Sequence, residues 1–397
     1  MRRRQLLLFL VLVQLGADAV LITSFPPAGR DFVIQLTAGR VFTLDGPRRV
    51  YDPKLQITRQ SEIRGTEADE TLLLPFNHPP LLLPALGPLS RIPPRTAYLV
   101  WTVISIILFF AGTMLLTWDM CERAPPRVEA MAVRLGILAF FPISVAVAQG
   151  QDTALLFLGA SVFLLLFRSN RDIAAGLALS LTSIRPQIAL GLALPFLFAR
   201  RRVFLGFLAG SSGLFLYSIA IVGIDGARQL LEMVRLTGIE SELVIGRSRM
   251  PNLLGLLHRT FGGDSAALPA SAWTVWLLFI AASCTWWKTL GNRVSILHVG
   301  VLTIGAVVLA PHIHLHDAAL LAIAATSCTV WRCLAAGSDW EIPAITLAGA
   351  SLILTVMSVS PASVYDVQLV AALILIATPL GRDIWRERLS QVRIGKS

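Results

Sequence analysis

Residues 96–117, with the sequence TAYLVWTVISIILFFAGTMLLT, contain no charged side chain. An α-helix rises about 1.5 Å per residue, so a helix of this length spans about 33 Å. The hydrocarbon core of a bilayer is about 30 Å thick. The segment is therefore predicted to cross a membrane as a helix.

Eleven further apolar segments accompany this one along the chain. The twelve lie at about 5–25, 96–117, 135–148, 153–167, 173–184, 187–199, 204–224, 272–288, 294–310, 318–334, 343–359 and 366–381. Hydrophobic residues make up 55% of the chain and charged residues only 15%, whereas a soluble domain of this length exposes more charge. The sequence therefore predicts an all-α fold, a polytopic membrane helical bundle of about twelve transmembrane segments that forms one integral-membrane domain over residues 1–397.

The basic residues give a formal net charge of +10, but they occur in short clusters between the apolar segments. This distribution is typical of cytoplasmic loops and argues against a nucleic-acid partner. The short turns at 149–152, 311–317 and 360–365 hold no Lys or Arg and are predicted to lie outside. We therefore expect a multi-pass protein of the plasma membrane with both termini cytoplasmic. Two long outer loops, 26–95 and 225–271, are expected to carry helices on the membrane surface.

The N-terminus has two interpretations. Three arginines at positions 2–4 precede an apolar stretch and Ala17-Asp18-Ala19, as in a cleaved signal peptide. The apolar sequence continues to Phe25, however, and is long enough to cross the membrane. We favour a retained first helix, in which Asp18 faces other helices because a carboxylate exposed to lipid is costly.

The third to sixth apolar segments are unusually short, at about 12 to 15 residues each. As straight helices they would reach only about 20 Å, which is less than the thickness of the hydrocarbon core. Short or broken helices are tolerated where they are buried in protein or border a water-filled cavity. These four segments are therefore predicted to line a site.

Asp31 is the candidate catalytic residue. It follows the first apolar segment in Gly29-Arg30-Asp31-Phe32, where a carboxylate at the outer edge of the bilayer is placed to act as a general base. The structural alternatives are a helix cap and a salt bridge to Arg30. Asp45 and Asp52 lie in the same loop, but each stands beside turn-forming residues and neither is our first choice.

Two polar stretches on the predicted outer side are candidates for binding substrate. His78 precedes Pro79-Pro80, which force an extended backbone, and it is placed to contact a hydroxyl or a phosphate; a structural hydrogen bond is the alternative. Gln151 lies in the turn at 149–152 between two short segments, so this turn is predicted to face a cavity. Asp152 in the same turn is also placed to cap the next helix.

Arg185 lies in Arg185-Pro186-Gln187, which interrupts two short apolar segments. A cation at a helix break, beside a helix N-terminus, suits a phosphate through its charge and the free backbone N–H groups. An arginine inside a membrane segment normally has a partner. The alternative is therefore a buried pair with Asp31 or Asp152.

Two outer segments complete the set of candidate ligands for a sugar or an anionic group. The second long loop contributes Arg247, Arg249 and Asn252, and the turn at 311–317 contributes His314, His316 and Asp317. The alternatives are a solvated basic loop for the first segment and a helix capped by its acid for the second. Alternating histidines resemble a metal site, but no zinc-ligand spacing is present, so we expect no metal and no other cofactor.

Together these stretches resemble glycosyltransferase family 87, a membrane-embedded family of the GT-C type. The resemblance extends from Asp31 to about Leu321. The matching stretches are Asp31-Phe32, Ala38-Gly39-Arg40, Val50-Tyr51-Asp52-Pro53, His78-Pro79-Pro80, Gly150-Gln151, Arg185-Pro186-Gln187, Asn252-Leu253 and His316-Asp317. The sequence departs from the family pattern at His78, where the family often has an aromatic residue, at Asp152, where it often has Asn, and at Arg185, where it tends to have Lys.

The resemblance implies metal-independent, inverting transfer of mannose or another hexose from a polyprenyl-phosphate donor to a lipid or glycan acceptor. It also implies that Asp31 is the base, since the acid after the first helix has that role in the family. Arg185, with Arg247 or Arg249 and His314, would stabilise the leaving phosphate. The rival hypothesis is a membrane transporter or lipid-linked-sugar flippase with Asp31 and Arg185 along its path. The large outer loops and the lack of repeat symmetry favour the enzyme.

Overall fold

The computed structural model of the protein describes residues 2–24, 31–67, 73–118, 127–239, 249–262, 267–334, 341–360 and 362–394. Its α-helices are α1 (Arg2–Ser24), α2 (Phe32–Leu44), α3 (Pro53–Arg64), α4 (Leu83–Leu89), α5 (Pro94–Leu116), α6 (Arg127–Leu138), α7 (Phe141–Gln149), α8 (Thr153–Arg168), α9 (Asp172–Leu179), α10 (Pro186–Ala193), α11 (Arg201–Ile239), α12 (Leu253–Phe261), α13 (Ala267–Leu290), α14 (Ile296–Val308), α15 (Leu321–Leu334), α16 (Glu341–Val359) and α17 (Ala362–Ile394). These ranges contain no β-strand, so the predicted all-α class is confirmed.

Five helices in the described ranges are long and apolar enough to cross a membrane. They are α5 and the stretches Arg201–Arg235, Ala267–Arg293, Glu341–Ser358 and Val364–Glu387. The pair Ala130–Leu138 and Phe141–Gln149 is bent by 49° and passes the same test only as one broken span. The protein is therefore a multi-pass helical membrane protein. The total of about twelve spans, the location in the plasma membrane and the cytoplasmic position of both termini stay predictions.

The short apolar segments predicted from the sequence are helical, and two of them are interrupted. α9 continues into a 3₁₀ turn at Ser180–Ile184, and α10 continues into another at Leu194–Leu197. Pro186 is the first residue of α10, a position where its missing N–H costs nothing and its fixed φ suits the helix. Arg185 is therefore held in non-helical backbone, with φ −119° and ψ 83°, between two helices.

The main hydrophobic core lies among the membrane helices and includes Leu7 and Val11 of α1. Asp18 of the same helix is buried, which confirms that it faces other helices. Its carboxylate also accepts a hydrogen bond of 2.7 Å from Gln14 Nε2, one turn earlier in α1. α9 and α11 approach so closely that a Cβ on Gly176 would lie 2.0 Å from the carbonyl oxygen of Val203. Glycine is required there because two helix backbones meet.

Both predicted outer loops contain helices. The first holds α2, α3 and α4. In the second, α11 continues past the predicted end of its apolar segment, through a kink at Gly223 (φ 71°, ψ 176°), to Ile239, and α12 follows. Their location on the membrane surface stays a prediction.

Candidate active site

Asp31 occupies the N-cap position of α2, but its carboxylate makes no hydrogen bond to the helix backbone. Its Oδ2 instead accepts a hydrogen bond of 2.8 Å from Gln151 Nε2. The helix-cap interpretation of the Asp31 side chain is therefore wrong, and the other proposed partner, Arg30, lies outside the described residues. The carboxylate is turned toward the α7–α8 turn, 120 positions further along the chain.

The α7–α8 turn is fixed against α2 and α5. Gly150 has φ +70°, and a Cβ there would lie 2.7 Å from the Cβ of Phe32. Its carbonyl oxygen accepts a hydrogen bond of 2.9 Å from Trp101 Nε1. Only glycine fits both the left-handed backbone and the close approach. The side chains of Gln151 and Asp152 are thereby presented from a rigid turn.

Arg185 joins two carboxylates that come from different turns. Its Nη2 donates to Asp152 Oδ1 at 2.9 Å, and its Nε donates to Asp317 Oδ1 at 3.2 Å. The side chains of Arg185, Asp152 and Asp317 are 10%, 0% and 1% exposed. The predicted pair of Arg185 with Asp152 is present, and Asp317 is a second partner that the sequence did not indicate. One guanidinium thus faces two buried carboxylates.

His78 adds a further contact to Asp152. Its Nδ1 lies 2.7 Å from Asp152 Oδ2, and since an ionised carboxylate only accepts hydrogen bonds, Nδ1 must carry a proton. The 3.4 Å contact between Arg185 Nη1 and the same Nδ1 is therefore no hydrogen bond. The imidazole stacks on Phe76 with ring centroids 5.5 Å apart, and Tyr51 Oη donates to the His78 carbonyl at 2.8 Å.

His78, Asp152, Arg185 and Asp317 form one cluster, and its charges keep the two carboxylates ionised. Burial would raise the pKa of Asp152, but the charges of Arg185 and His78 outweigh burial and hold this pKa well below its usual range. Burial likewise opposes ionisation of Asp317, and Arg185 and the neighbouring histidines lower its pKa to about 2. Both side chains are therefore anions over the whole physiological pH range.

The turn at 311–317 closes the cluster on another side. Asp317 Oδ2 accepts from the backbone N–H of His314 at 3.0 Å, so the predicted cap is present in addition to the ion pair with Arg185. His316 Nδ1 lies 3.0 Å from Gln149 Oε1. His316 Nε2 is buried and has no hydrogen-bond partner among the described residues. Burial lowers the pKa values of His314 and His316, which favours neutral imidazoles.

A comparison with protein families identifies the class of the chain. The model of glycosyltransferase family 87 matches residues 76–361, which is more than half of the chain. The chain belongs to glycosyltransferase family 87. Its transferase activity follows from that membership, and the transporter hypothesis is set aside. No curated protein matches the chain. The match includes His78, Arg185 and Asp317, whereas Asp31 precedes it.

The remaining predicted substrate-binding residues of this family 87 glycosyltransferase are Asn252, Arg249 and Arg247. Asn252 is buried and caps α12, with Oδ1 accepting from Gly255 N at 2.9 Å and Nδ2 donating to the Ala310 carbonyl at 2.8 Å. Arg249 is exposed. Arg247 falls in a stretch that the structure does not describe. Substrate binding by these three residues stays a prediction.

Two members of the cluster were not among the predicted binding residues of the glycosyltransferase. Gln149 contacts His316 and Asp152 contacts Arg185. The sequence signal that points to both is the polar run Gln149-Gly150-Gln151-Asp152 between two apolar helices. The alternative in which Asp152 caps the next helix is wrong, because Asp152 precedes α8 without a side-chain cap hydrogen bond.

Proposed function

We propose that this glycosyltransferase transfers mannose or another hexose from a polyprenyl-phosphate donor to a lipid or glycan acceptor at the outer face of the plasma membrane. Membership of family 87 supports the reaction class. A lipid-borne donor is consistent with an apolar helical bundle whose charged residues gather at helix breaks. Such a donor delivers its sugar without a nucleotide, and the sequence contains no dinucleotide-binding glycine motif.

The single observation that carries the proposal is the environment of Asp31. Its carboxylate is free of the helix-capping role expected at its position and is oriented by Gln151, the neighbour of Asp152. Asp31 is thereby linked to the network of Arg185 and Asp317. A carboxylate held in this way is suited to accept the proton of an attacking hydroxyl group, and a positioned base is worth about 10² to 10⁴ in rate.

In the proposed reaction the acceptor oxygen attacks the anomeric carbon while its proton passes to Asp31. The bond between the anomeric carbon and the phosphate oxygen breaks, and its electron pair leaves with the lipid phosphate. Arg185 supplies positive charge near this leaving group, as expected for electrostatic stabilisation. Gln151, His314 and His316 are then placed to bind the sugar, and Arg249 to bind the anionic headgroup region.

The test is transfer by purified full-length protein supplied with a panel of radiolabelled polyprenyl-phosphate hexoses and a membrane-lipid extract as acceptor. Asp31→Asn should lower transfer about 10²- to 10⁴-fold while donor binding persists. Asp52→Asn is the matched control, because Asp52 caps α3 through Lys54 N and Leu55 N, and Asn caps equally well. Full transfer by Asp31→Asn would exclude Asp31 as the base.

A further inference from the structure

The backbone that leads to His78 is fixed by side chains of α3. This stretch forms neither helix nor strand. Gln60 accepts a hydrogen bond of 3.1 Å from the backbone N–H of Leu74 and donates to the Leu74 carbonyl. Gln56, one turn earlier in α3, accepts from the N–H of Phe76 at 2.8 Å and donates to the Phe76 carbonyl at 3.4 Å. Side-chain amides thus take the place of the regular backbone hydrogen bonds that the stretch lacks.

His78 itself is held at three points. Tyr51 Oη donates to its backbone carbonyl at 2.8 Å, and its ring stacks on Phe76 with centroids 5.5 Å apart. Its Nδ1–H donates to Asp152 Oδ2 at 2.7 Å, and the Asp152 side chain is fully buried. A side chain fixed in this way suits recognition, because little of its freedom remains to be lost when a ligand binds.

The other ring nitrogen, Nε2, has no partner within the ranges that the structure describes. The contacts of the ring with Asp152 and Arg185 both involve Nδ1, and the His78 side chain is 14% exposed. A hydroxyl group both donates and accepts, so it pairs with an imidazole nitrogen whether or not that nitrogen carries a proton. An ionised phosphate only accepts. A hydroxyl group is therefore the ligand that fits Nε2 in either form of the ring.

The neighbouring guanidinium indicates which hydroxyl group reaches this nitrogen. Arg185 Nη1 lies 3.4 Å from Nδ1 of His78, so the two side chains lie side by side. In the proposed function Arg185 faces the phosphate of the donor. The hexose is joined to that phosphate through its anomeric carbon, which brings the sugar hydroxyls close to the imidazole. The transferred hexose is thus a nearer source of a hydroxyl group than the acceptor.

We propose that His78 is a specificity-determining residue whose Nε2 forms a hydrogen bond with a hydroxyl group of the transferred hexose. This role rests on the proposed function and deepens it, because it assigns a contact in the sugar subsite of the donor. Asp152 positions the ring through Nδ1. His78 forms no covalent bond in the reaction, and the proton of the acceptor hydroxyl still passes to Asp31.

The test measures binding of farnesyl phosphate mannose, its four monodeoxy derivatives and farnesyl phosphate to the full-length protein in detergent. In the wild type, loss of the hydroxyl group that contacts Nε2 should weaken binding about tenfold. His78→Asn should bind farnesyl phosphate mannose about tenfold more weakly than the wild type does. It should also bind the mannoside and the derivative that lacks this hydroxyl group equally. Wild type and variant should bind farnesyl phosphate with the same affinity, since this probe has no sugar.

His78→Asn and His78→Gln separate this role from a structural one. Both amides donate and accept hydrogen bonds. The amide of an asparagine lies near the position of Nδ1 and can keep the contact with Asp152, whereas the amide of a glutamine reaches the position of Nε2. His78→Gln should therefore bind the mannoside about as tightly as the wild type does. Normal binding by His78→Asn together with weak binding by His78→Gln would overturn the proposal.

Two phenylalanine variants complete the design. His78→Phe, which has no polar atom in the ring, replaces His78→Asn if that variant does not fold, and the same loss of affinity for the mannoside is expected. His258→Phe is the matched control. It removes an imidazole from the last turn of α12, and it should bind every probe as the wild type does.

The outcomes distinguish this role from the proposed function. If wild type and His78→Asn respond equally to every monodeoxy derivative, the role of His78 is overturned, whatever the transfer assay shows. If the wild type transfers no hexose from any polyprenyl-phosphate donor but shows the His78-dependent preference in binding, the proposed reaction fails and the sugar contact remains. A wild type that binds farnesyl phosphate mannose no better than farnesyl phosphate would overturn the sugar contact.

Discussion

Two buried Arg–Asp interactions lie at different parts of the bundle, and they differ in their balance of charge. Near the end of α15, Arg332 donates to Asp383 of α17 from Nε at 2.6 Å and from Nη2 at 2.8 Å. In the candidate active site, Arg185 is shared by Asp152 and Asp317. Arg386 Nη1 also lies 4.0 Å from Asp383 Oδ1, so cations outnumber the anion there, whereas at Arg185 two carboxylates share one guanidinium.

We infer from this difference that the first interaction stabilises the fold, and the second belongs to the proposed site of chemistry. Arg332 and Asp383 form a planar, two-point contact, and Cys328 Sγ donates to the same carboxylate. That arrangement links two helices and satisfies both carboxylate oxygens. At Arg185 the two carboxylates share one guanidinium, and Asp152 also contacts His78, whose side chain is 14% exposed. Such a site can bind a further group at the cost of some stability.

The largest expected effect concerns the interaction of Arg332 with Asp383. Arg332→Leu should destabilise the protein by about 3–5 kcal/mol, because it removes both hydrogen bonds of the cation to the buried Asp383 carboxylate and leaves only the exposed Arg386, 4.0 Å away. Thermal unfolding in detergent measures this loss. The double variant Arg332→Leu with Asp383→Leu should recover much of the stability, since an apolar pair is tolerated at such sites. A single variant as stable as the wild type would show that the pair is not structural.

Arg185→Gln should also destabilise the protein by about 3–5 kcal/mol at pH 8, because it leaves Asp152 and Asp317 buried without their shared cation, and the effect should depend on pH. In the wild type, the lowered pKa of Asp317 contributes stability that is complete above about pH 4 and lost as the pH falls toward 2. Without Arg185 the buried carboxylates take up protons more readily, so the folded state of the variant binds more protons than the unfolded state. Its melting temperature should rise from pH 8 to pH 5.

The wild type provides the control for this pH dependence. Between pH 8 and pH 5 its ion-paired carboxylates remain ionised, so Asp152 and Asp317 should contribute no change in melting temperature over that interval. The same rise in wild type and Arg185→Gln would mean that other groups titrate and that Arg185 does not control these carboxylates.

Gln151→Leu tests whether Gln151 orients the carboxylate of Asp31. The variant loses the hydrogen bond to Asp31 Oδ2, and a hydrogen bond to a charged group is worth about 1.5–3 kcal/mol. Turnover should therefore fall at least about tenfold, with little change in KM for the donor. Gln368→Leu in α17, whose amide donates to Ser360 Oγ, is the matched control for amide loss. Unchanged turnover in Gln151→Leu would indicate that Asp31 needs no orientation.

The smallest effect is expected at Asn252. Asn252→Ala removes the cap of α12, and should lower stability by about 1 kcal/mol. If Asn252 has a structural role only, KM and turnover measured below the melting temperature will match those of the wild type. A rise in KM without a loss of stability would instead support the predicted contact of Asn252 with substrate.

Much of the fold could be predicted because it depends on local sequence. The apolar stretch at 96–117 became α5, and the proline of Arg185-Pro186 marked a true helix break. The number of membrane spans could not be predicted reliably from the apolar segments alone. Short segments such as α9 and α10 are as apolar as true spans, and their path depends on packing against neighbouring helices.

The partners within the site depended on the fold and could not be derived from spacing. Asp317 lies 132 positions from Arg185, and His78 lies 74 positions from Asp152. Sequence alone identified Asp31, His78, Arg185 and Asp317 as polar groups at helix ends and offered Asp152 as one partner of Arg185, but it did not indicate that Asp317 shares the guanidinium. His78 and Asp152, two positions where the sequence departs from the family pattern, are in contact, which could be known only from the structure.

The central claim is that Asp31 serves the reaction and Asp383 serves the fold. The most direct test measures turnover per folded molecule and melting temperature for Asp31→Asn and Asp383→Asn side by side. Asp31→Asn should lose about 10²- to 10⁴-fold in turnover at an unchanged melting temperature. Asp383→Asn should melt at a clearly lower temperature and keep its turnover. A stable, fully active Asp31→Asn, or an Asp31→Asn that loses activity only through unfolding, would contradict the account.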